Sequence, residues 1–291
     1  FQKPVEREEM DVEKALSEAI EAAKAADQVV LALGEHREFT GEAASRAFLT
    51  LPACQQRLFD EVAKVNDHIT VVLFCGRPMD IRSIKDKAKA ILVAWLPGTE
   101  GGPAIVRTLY GDASPSGKLA MCFPYCASQL PIHYNHLSSG RPFHGHFTDG
   151  RFGAKYQDIP NEPLYPFGFG LTYTAFSCSP IAISKDSLQK GEALLASVTL
   201  KNIGSCQGTE TVQLYIRDVK GSVARPVREL KGFEKVTLLP GESKEVSFKI
   251  TEEMLRFYDI NMDYTSEPGL FELFIGTDSQ TQNKAEFTLL G

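Results

Sequence analysis

The sequence is notable first for what it lacks. No run approaches the roughly 20 apolar residues of a membrane-spanning helix, and basic residues are not in excess: 31 Lys and Arg stand against 37 Asp and Glu, a net charge of -6. The bases are scattered rather than striped, so there is no electrostatic footprint for nucleic acid. N-x-S/T glycosylation sequons are absent, as are the GxSxG elbow of serine hydrolases, the P-loop and the dinucleotide fingerprint. Six cysteines, Cys54, Cys75, Cys122, Cys126, Cys178 and Cys206, show no CxxC or other short metal-ligand spacing. Cys54 and Cys75 read as buried thiols. Such usage suits a reducing compartment and leaves a periplasmic one open. The start, FQKPVEREEM, has neither an initiator Met nor a signal-peptide pattern. It reads as processed or excised from something longer.

What is present is ordinary globular protein: 43% hydrophobic and 23% charged over 291 residues, enough for two domains. From Asp11 to Asp27 apolar residues recur at helical spacing, and Gln28 to Leu33 (QVVLAL) reads as a strand buried on both faces. A helix follows, capped by Thr50 with Pro52 in its first turn. Then come the strand ITVVLF (69–74), a short helix near 82–87, the strand AILVAWL (90–96) and a helix over 103–110 opened by Gly101-Gly102. Alternating strands and helices predict a parallel sheet with flanking helices.

Between Gly111 and Tyr173 Gly, Pro, His and aromatic residues replace periodicity, which marks a long functional or domain-wrapping loop. Beyond Ala175 the faces alternate: Ala196, Val198, Leu200; Val212, Leu214, Ile216; Val246, Phe248, Ile250. With turns at Pro240-Gly241 and Pro268-Gly269, this predicts a β-sandwich of immunoglobulin or fibronectin type III kind.

The chemistry is concentrated in LALGEHREFTGEAASRAFLTLP (31–52), which follows a strand and carries Glu35, His36, Arg37, Glu38, Glu42 and Arg46. Loops at the carboxyl ends of buried strands are where α/β folds present reactive groups. A carboxylic acid there can protonate a glycosidic oxygen if a second carboxylate attacks from the other side. The plain alternative is a set of solvated charges, with Arg46 in an ordinary salt bridge. Gly98–Gly102 lacks the P-loop ending and reads as a tight strand-to-helix turn. His133, His136, His144 and His146 have no partners at ligand spacing, so they read as surface or substrate-lining residues and no metal is expected.

Eight segments in order carry a resemblance: VVLALGEHREFTGEAASR, LFCGRPMDI, AWLPGTEGG, LYGDASPSGKLAMCFP, IHYNHLSSGRPF, PLYPFGFGLTYTAF, RPVRELKGFEKVTLLPGE and EPGLFELFIGTDS. Together they resemble the C-terminal part of glycoside hydrolase family 3 β-glucosidases, most like the bacterial periplasmic type. The resemblance implies a retaining enzyme acting on terminal non-reducing β-D-glucosyl residues. A barrel supplies the nucleophile, and a glutamate before an Arg, here Glu42 before Arg46, is the general acid/base. Glu35 is the second choice. Arg141, Lys155, Tyr156 and Asp158 fall on a cleft-side segment, no cofactor is implied, and the location implied is periplasmic or extracellular.

The expected architecture is α/β plus all-β: a partial α/β sandwich over 1–130, linker and cleft-side loops over 131–174, and a fibronectin type III-like domain over 175–291. The nucleophile-bearing barrel and the first half of the sandwich are missing, so the fragment alone is expected to be inactive. Its partners are a β-glucoside or oligosaccharide, the missing portion of the same protein and, through the bare edge of the first strand, a second copy. The competing class is a non-catalytic carbohydrate-binding or interaction module. Trp95, the single tryptophan, stands against it, because it falls at the end of a buried strand rather than on an exposed platform.

Overall fold

A computed structural model describes residues 11–141 and 152–291. They divide into two units, residues 11–103 with 124–128 and residues 104–123 with 129–141 and 152–291. His144 and His146 lie outside the described residues.

The first unit opens with α1 (Val12–Ala25), whose N-terminus is capped by the Asp11 carboxylate accepting from Lys14 N–H at 3.1 Å. Then follow β1 (Val29–Gly34), α2 (Ala53–Val62), β2 (Ile69–Phe74), α3 (Arg82–Lys85) and β3 (Ala90–Val93); α4 (Gly101–Leu109) crosses into the second unit. The three strands are parallel in the order β1-β2-β3, with Val29 opposite Ile69 and Thr70 opposite Ala90. This is the parallel sheet with flanking helices that the alternation predicts.

Four local readings are corrected. β2 is covered on both faces, but β1 is not: Leu33 is buried while Val30, on the opposite face, is 53% exposed. An edge strand pairs on one side only, and its second face has no cover among the described residues. Thr50 does not cap α2; Pro52 occupies the cap position without a side-chain bond, and Thr50 instead bridges to Asp80. Cys54 is exposed on the outer side of α2, whereas Cys75 is buried. Finally, β3 stops at Val93; Ala94 N–H still donates to Leu73 O and Trp95 O still accepts from Cys75 N–H, and with a positive φ of 54° Trp95 is where the chain turns away.

The second unit is a β-sandwich. One sheet contains β4 (Phe176–Cys178), β5 (Ala182–Ile183), β7 (Ala193–Asn202) and β10 (Ser243–Thr251); β4, β5 and β10 all pair with β7. The other runs β6 (Ser187–Leu188), β14 (Lys284–Leu289), β13 (Gly269–Gly276), β8 (Gly208–Asp218), β9 (Glu229–Leu238). A hairpin of β11 (Phe257–Tyr258) and β12 (Tyr264–Thr265) lies apart from both. Leu194, Ala196, Val198 and Leu200 from β7 meet Val212, Leu214 and Ile216 from β8 in the core, as the alternation predicts.

The outer face of β8 departs from alternation: Thr211, Gln213 and Tyr215 are buried as well. The irregular segment before the sandwich covers them. Gln213 Nε2 donates to Gly168 O at 3.1 Å and Thr277 O at 2.7 Å, and Tyr134 packs edge-on against Tyr215 at 5.8 Å. Lys118 Nζ meets Glu210 at 2.6 Å, and a Cβ on Gly170 would stand 2.2 Å from Gly117 O, so that approach requires glycine.

Glu252 gives this unit a pH dependence. Hydrogen bonds from Arg256, assisted by Ser266, hold its buried carboxyl at about 2 against an ordinary 4.5. A carboxyl held below its unfolded value contributes stability above that value and loses it as pH falls toward the folded one. Glu252→Gln is therefore expected to lower stability at pH 7 and to flatten its decline between pH 4.5 and 2. Urea unfolding followed by circular dichroism across that range checks it; parallel profiles for the two proteins would refute the assignment.

Candidate active site

The loop that leaves β1 is set by two close backbone approaches. Gly34 has φ 146°, and a Cβ there would lie 1.7 Å from Phe74 O, so no other residue fits. Gln55 Oε1, on α2, accepts from Gly34 N–H at 2.8 Å. Glu35 N–H still reaches Phe74 O at 2.9 Å, after which the chain turns out of the sheet. Gly76 plays the matching part after β2, since a Cβ there would meet Thr40 Oγ1 at 2.0 Å.

Glu35 is not a solvated loop charge. Its side chain is wholly buried between two guanidinium groups: Arg46 Nη1 donates to Oε1 at 2.9 Å, and Arg77 Nε faces Oε2 at 3.3 Å without forming a hydrogen bond. Arg46 also donates to Thr50 O at 3.2 Å and lies 5.3 Å from the Phe39 ring centre. Arg77 Nη2 donates to two carbonyls of the loop, Phe39 O at 2.8 Å and Ala44 O at 2.9 Å. Two arginines oriented on one carboxylate thus satisfy backbone acceptors that no regular structure would.

Glu42 sits between those two carbonyls. Gly41–Ala44 forms a turn closed by Ala44 N–H to Gly41 O at 3.3 Å, with Gly41 at φ 107° and Ala43 at φ 60°. Glu42 is exposed at its crest and makes no hydrogen bond or ion pair among the described residues. His36 Nδ1 accepts from Glu38 N–H at 3.4 Å and its ring packs edge-on against Phe39.

The sequence-derived residues therefore form two groups. Glu35, Glu42 and Arg46 share this loop in the first unit. In the second unit, Lys155 and Tyr156 join His136, Ala154 and Asn161 around an open depression of about 400 Å³, where Asn161 Oδ1 accepts from Tyr156 N–H and Nδ2 donates to Ala154 O. Arg141 reaches this segment through its carbonyl, which accepts from Ala154 N–H at 3.0 Å; Asp158 is exposed nearby in sequence and does not line the depression. Among the described residues no three His, Cys, Asp or Glu side chains converge as a metal site would require. Sequence reasoning missed Arg77. Its only signal is an Arg directly after Gly76, the glycine just beyond β2, and nothing local tells such a residue from a surface base.

Cys75 reports on the buried charge. Burial, and after it the nearby Glu35 carboxylate, push its thiol up to about 12. Only thiolate reacts. An aromatic disulfide reagent at pH 8 is thus expected to modify exposed Cys54 promptly and Cys75 only as the chain unfolds. Peptide mass mapping of the labelled protein reads this; rapid native labelling of Cys75 would contradict the burial described.

A family profile described as "Glycosyl hydrolase family 3 C-terminal domain" matches residues 3–173, and one described as "Fibronectin type III-like domain" matches residues 210–279. The chain is 43% identical to a periplasmic β-glucosidase of Salmonella typhimurium over 94% of its own length and 36% of that protein's. It is 36% identical to a β-xylosidase of Formosa agariphila over 91% of itself and 36% of that protein. Its fold superposes on a Listeria innocua β-glucosidase crystallised with glucose at a TM-score of 0.90 and 40% identity, covering 100% of this chain and 40% of that one. The chain thus spans little more than a third of the length of these curated relatives.

Proposed function

The chain belongs to glycoside hydrolase family 3, and on that premise we propose that it supplies Glu42 as the general acid/base of a retaining β-glucosidase hydrolysing terminal non-reducing β-D-glucosyl residues. The contrast between the loop's two glutamates carries the assignment. Glu35 is sealed beneath Arg46 and Arg77, so neither oxygen is open to a glycosidic bond. Glu42 projects from a turn whose backbone is tied at both ends. A proton donor needs that combination of fixed origin and accessible carboxyl.

The nucleophile comes, on this reading, from a barrel elsewhere in the longer protein. Arg141, Lys155, Tyr156 and Asp158 are assigned to the substrate side. We take residues 1–130 as part of the α/β sandwich, 131–174 as linker and cleft-side loops, and 175–291 as the fibronectin-like domain. The location proposed is the periplasm, by similarity to the Salmonella protein. The side of β1 that pairs with no strand among the described residues is proposed to receive the rest of that sheet or a second copy of the chain. Sedimentation over a dilution series tests self-association, which a strict monomer at every concentration would exclude.

Two expected outcomes test the catalytic reading. The chain alone should not turn over an aryl β-glucoside, because retention needs two carboxyl groups about 5–5.5 Å apart and one is supplied. Sustained activity abolished by Glu42→Gln would overturn this. In the full-length protein, Glu42→Ala should slow cellobiose hydrolysis by about 100-fold or more and a dinitrophenyl glucoside much less, since acid assistance matters most for basic leaving groups. Azide should partly restore the second step by attacking the glycosyl intermediate. If Glu35→Ala gives this pattern and Glu42→Ala does not, the acid/base is Glu35.

A further inference from the structure

We propose that Arg77 is a positioning residue for Glu42, an inference that rests on the assignment of Glu42 above. The argument begins with the turn. Ala43 holds a positive φ of 60°, a conformation glycine enters freely and alanine does not, so the Gly41–Ala44 turn is not the resting preference of its own sequence. Something outside the turn has to hold it. One nitrogen does so: Arg77 Nη2 has two N–H bonds, one directed to Phe39 O at 2.8 Å and the other to Ala44 O at 2.9 Å. Those carbonyls stand three residues before Glu42 and two after it. The span carrying the acid is thereby closed into a loop whose ends meet on a single atom.

Arg77 is itself fixed. It stands just beyond β2, and its Nε faces the buried Glu35 carboxylate at 3.3 Å, so the planar fork is oriented on one edge by the anion and spends the other on the loop. Its side chain is 24% exposed, against 0% for Glu35, which leaves it a poor candidate for direct contact with substrate but well placed between core and loop. Arg46, on the same carboxylate, donates to Thr50 O, beyond the turn, and to no other loop carbonyl among the described residues. The two arginines therefore have different tasks: Arg46 ties the loop's exit, and Arg77 sets where Glu42 stands.

The test compares R77A, R77K and E42A in the full-length protein, with cellobiose and a dinitrophenyl glucoside as substrates and circular dichroism as the folding control. If Arg77 positions the acid, R77A lowers kcat/KM on cellobiose by about 10- to 100-fold, as misplacement of about an ångström does, and leaves kcat/KM on the dinitrophenyl substrate within about threefold because that leaving group needs little protonation. On the dinitrophenyl substrate kcat falls and azide raises it, because the same carboxyl is the base of the second step. A role in folding alone would lower both substrates equally through loss of active protein. Where R77A does not fold, R77K decides: lysine keeps the charge opposite Glu35 but lacks the planar fork, and is expected to show the same split in weaker form. A steep E42A with flat or uniform Arg77 variants overturns the inference and leaves Glu42 standing. A flat E42A overturns both.

Discussion

The first unit's candidate site depends on one buried anion. A carboxylate removed from water is costly unless charge and hydrogen bonds compensate it, and Glu35 is compensated from two directions, by Arg46 in its own loop and by Arg77 from beyond β2. A single arginine would neutralise the charge. Two of them, each with spare donors, convert it into a hub: Thr50, Phe39 and Ala44 all give their carbonyls to guanidinium groups that Glu35 holds in place. Apart from the single turn at Arg37–Phe39, residues 35–50 have no regular structure to satisfy their backbone. Removing one arginine leaves the charge neutralised by the other but strips the loop carbonyls of their donor, so what is lost is the order of the loop rather than the pairing of Glu35.

The hub stands where it does because of the sheet. β1 and β2 are adjacent and parallel, so their carboxyl ends open side by side; β1 ends in Gly34, and Gly76 stands two residues beyond β2, each at a place where a Cβ would collide with the neighbouring segment. Gly34 lets the chain pass against Phe74 O; Gly76 lets the β2 exit pass against Thr40. The close passage brings Arg77 beside a loop 38 residues earlier in sequence. This is the general habit of α/β folds, in which the carboxyl ends of neighbouring parallel strands gather the polar groups.

That same distance explains what the sequence discloses and what it hides. Helix α1 and strand β2 lie close to where periodicity puts them, because amphipathic spacing and continuous apolar runs are local properties. Loop 31–52 is legible as a candidate site from its density of charge at a strand's end. The difference between Glu35 and Glu42 is not, since burial of one and exposure of the other depend on Arg77, a contact no local pattern announces. β1 reads as doubly covered because its composition is apolar throughout, yet cover is supplied by neighbours and not by composition. The outer face of β8 errs the other way: Thr211, Gln213 and Tyr215 look like solvent-facing residues, and they are buried because the Gly- and aromatic-rich segment around Gly168 lies on them.

An exposed carboxyl on a fixed turn is half of an acid catalyst. The other half is an environment that makes the protonated form persist near neutral pH, and desolvation is the usual means. The loop already carries the apolar surface this would use: Phe48 is 78% exposed and Phe39 is 44% exposed, both within a few residues of Glu42. Isolated, such side chains cost little. Covered by another part of a longer protein, they would remove water from the same turn that Arg77 holds still. On the proposed reading the work is divided by what each part can supply: this chain fixes the origin of the carboxyl to within a hydrogen bond's tolerance, and whatever closes over Phe39 and Phe48 brings the low-dielectric wall and the opposing nucleophile. Position without cover gives no proton donor, and cover without position gives one that misses the glycosidic oxygen; the two arginines around Glu35 are the part of that requirement this chain meets by itself.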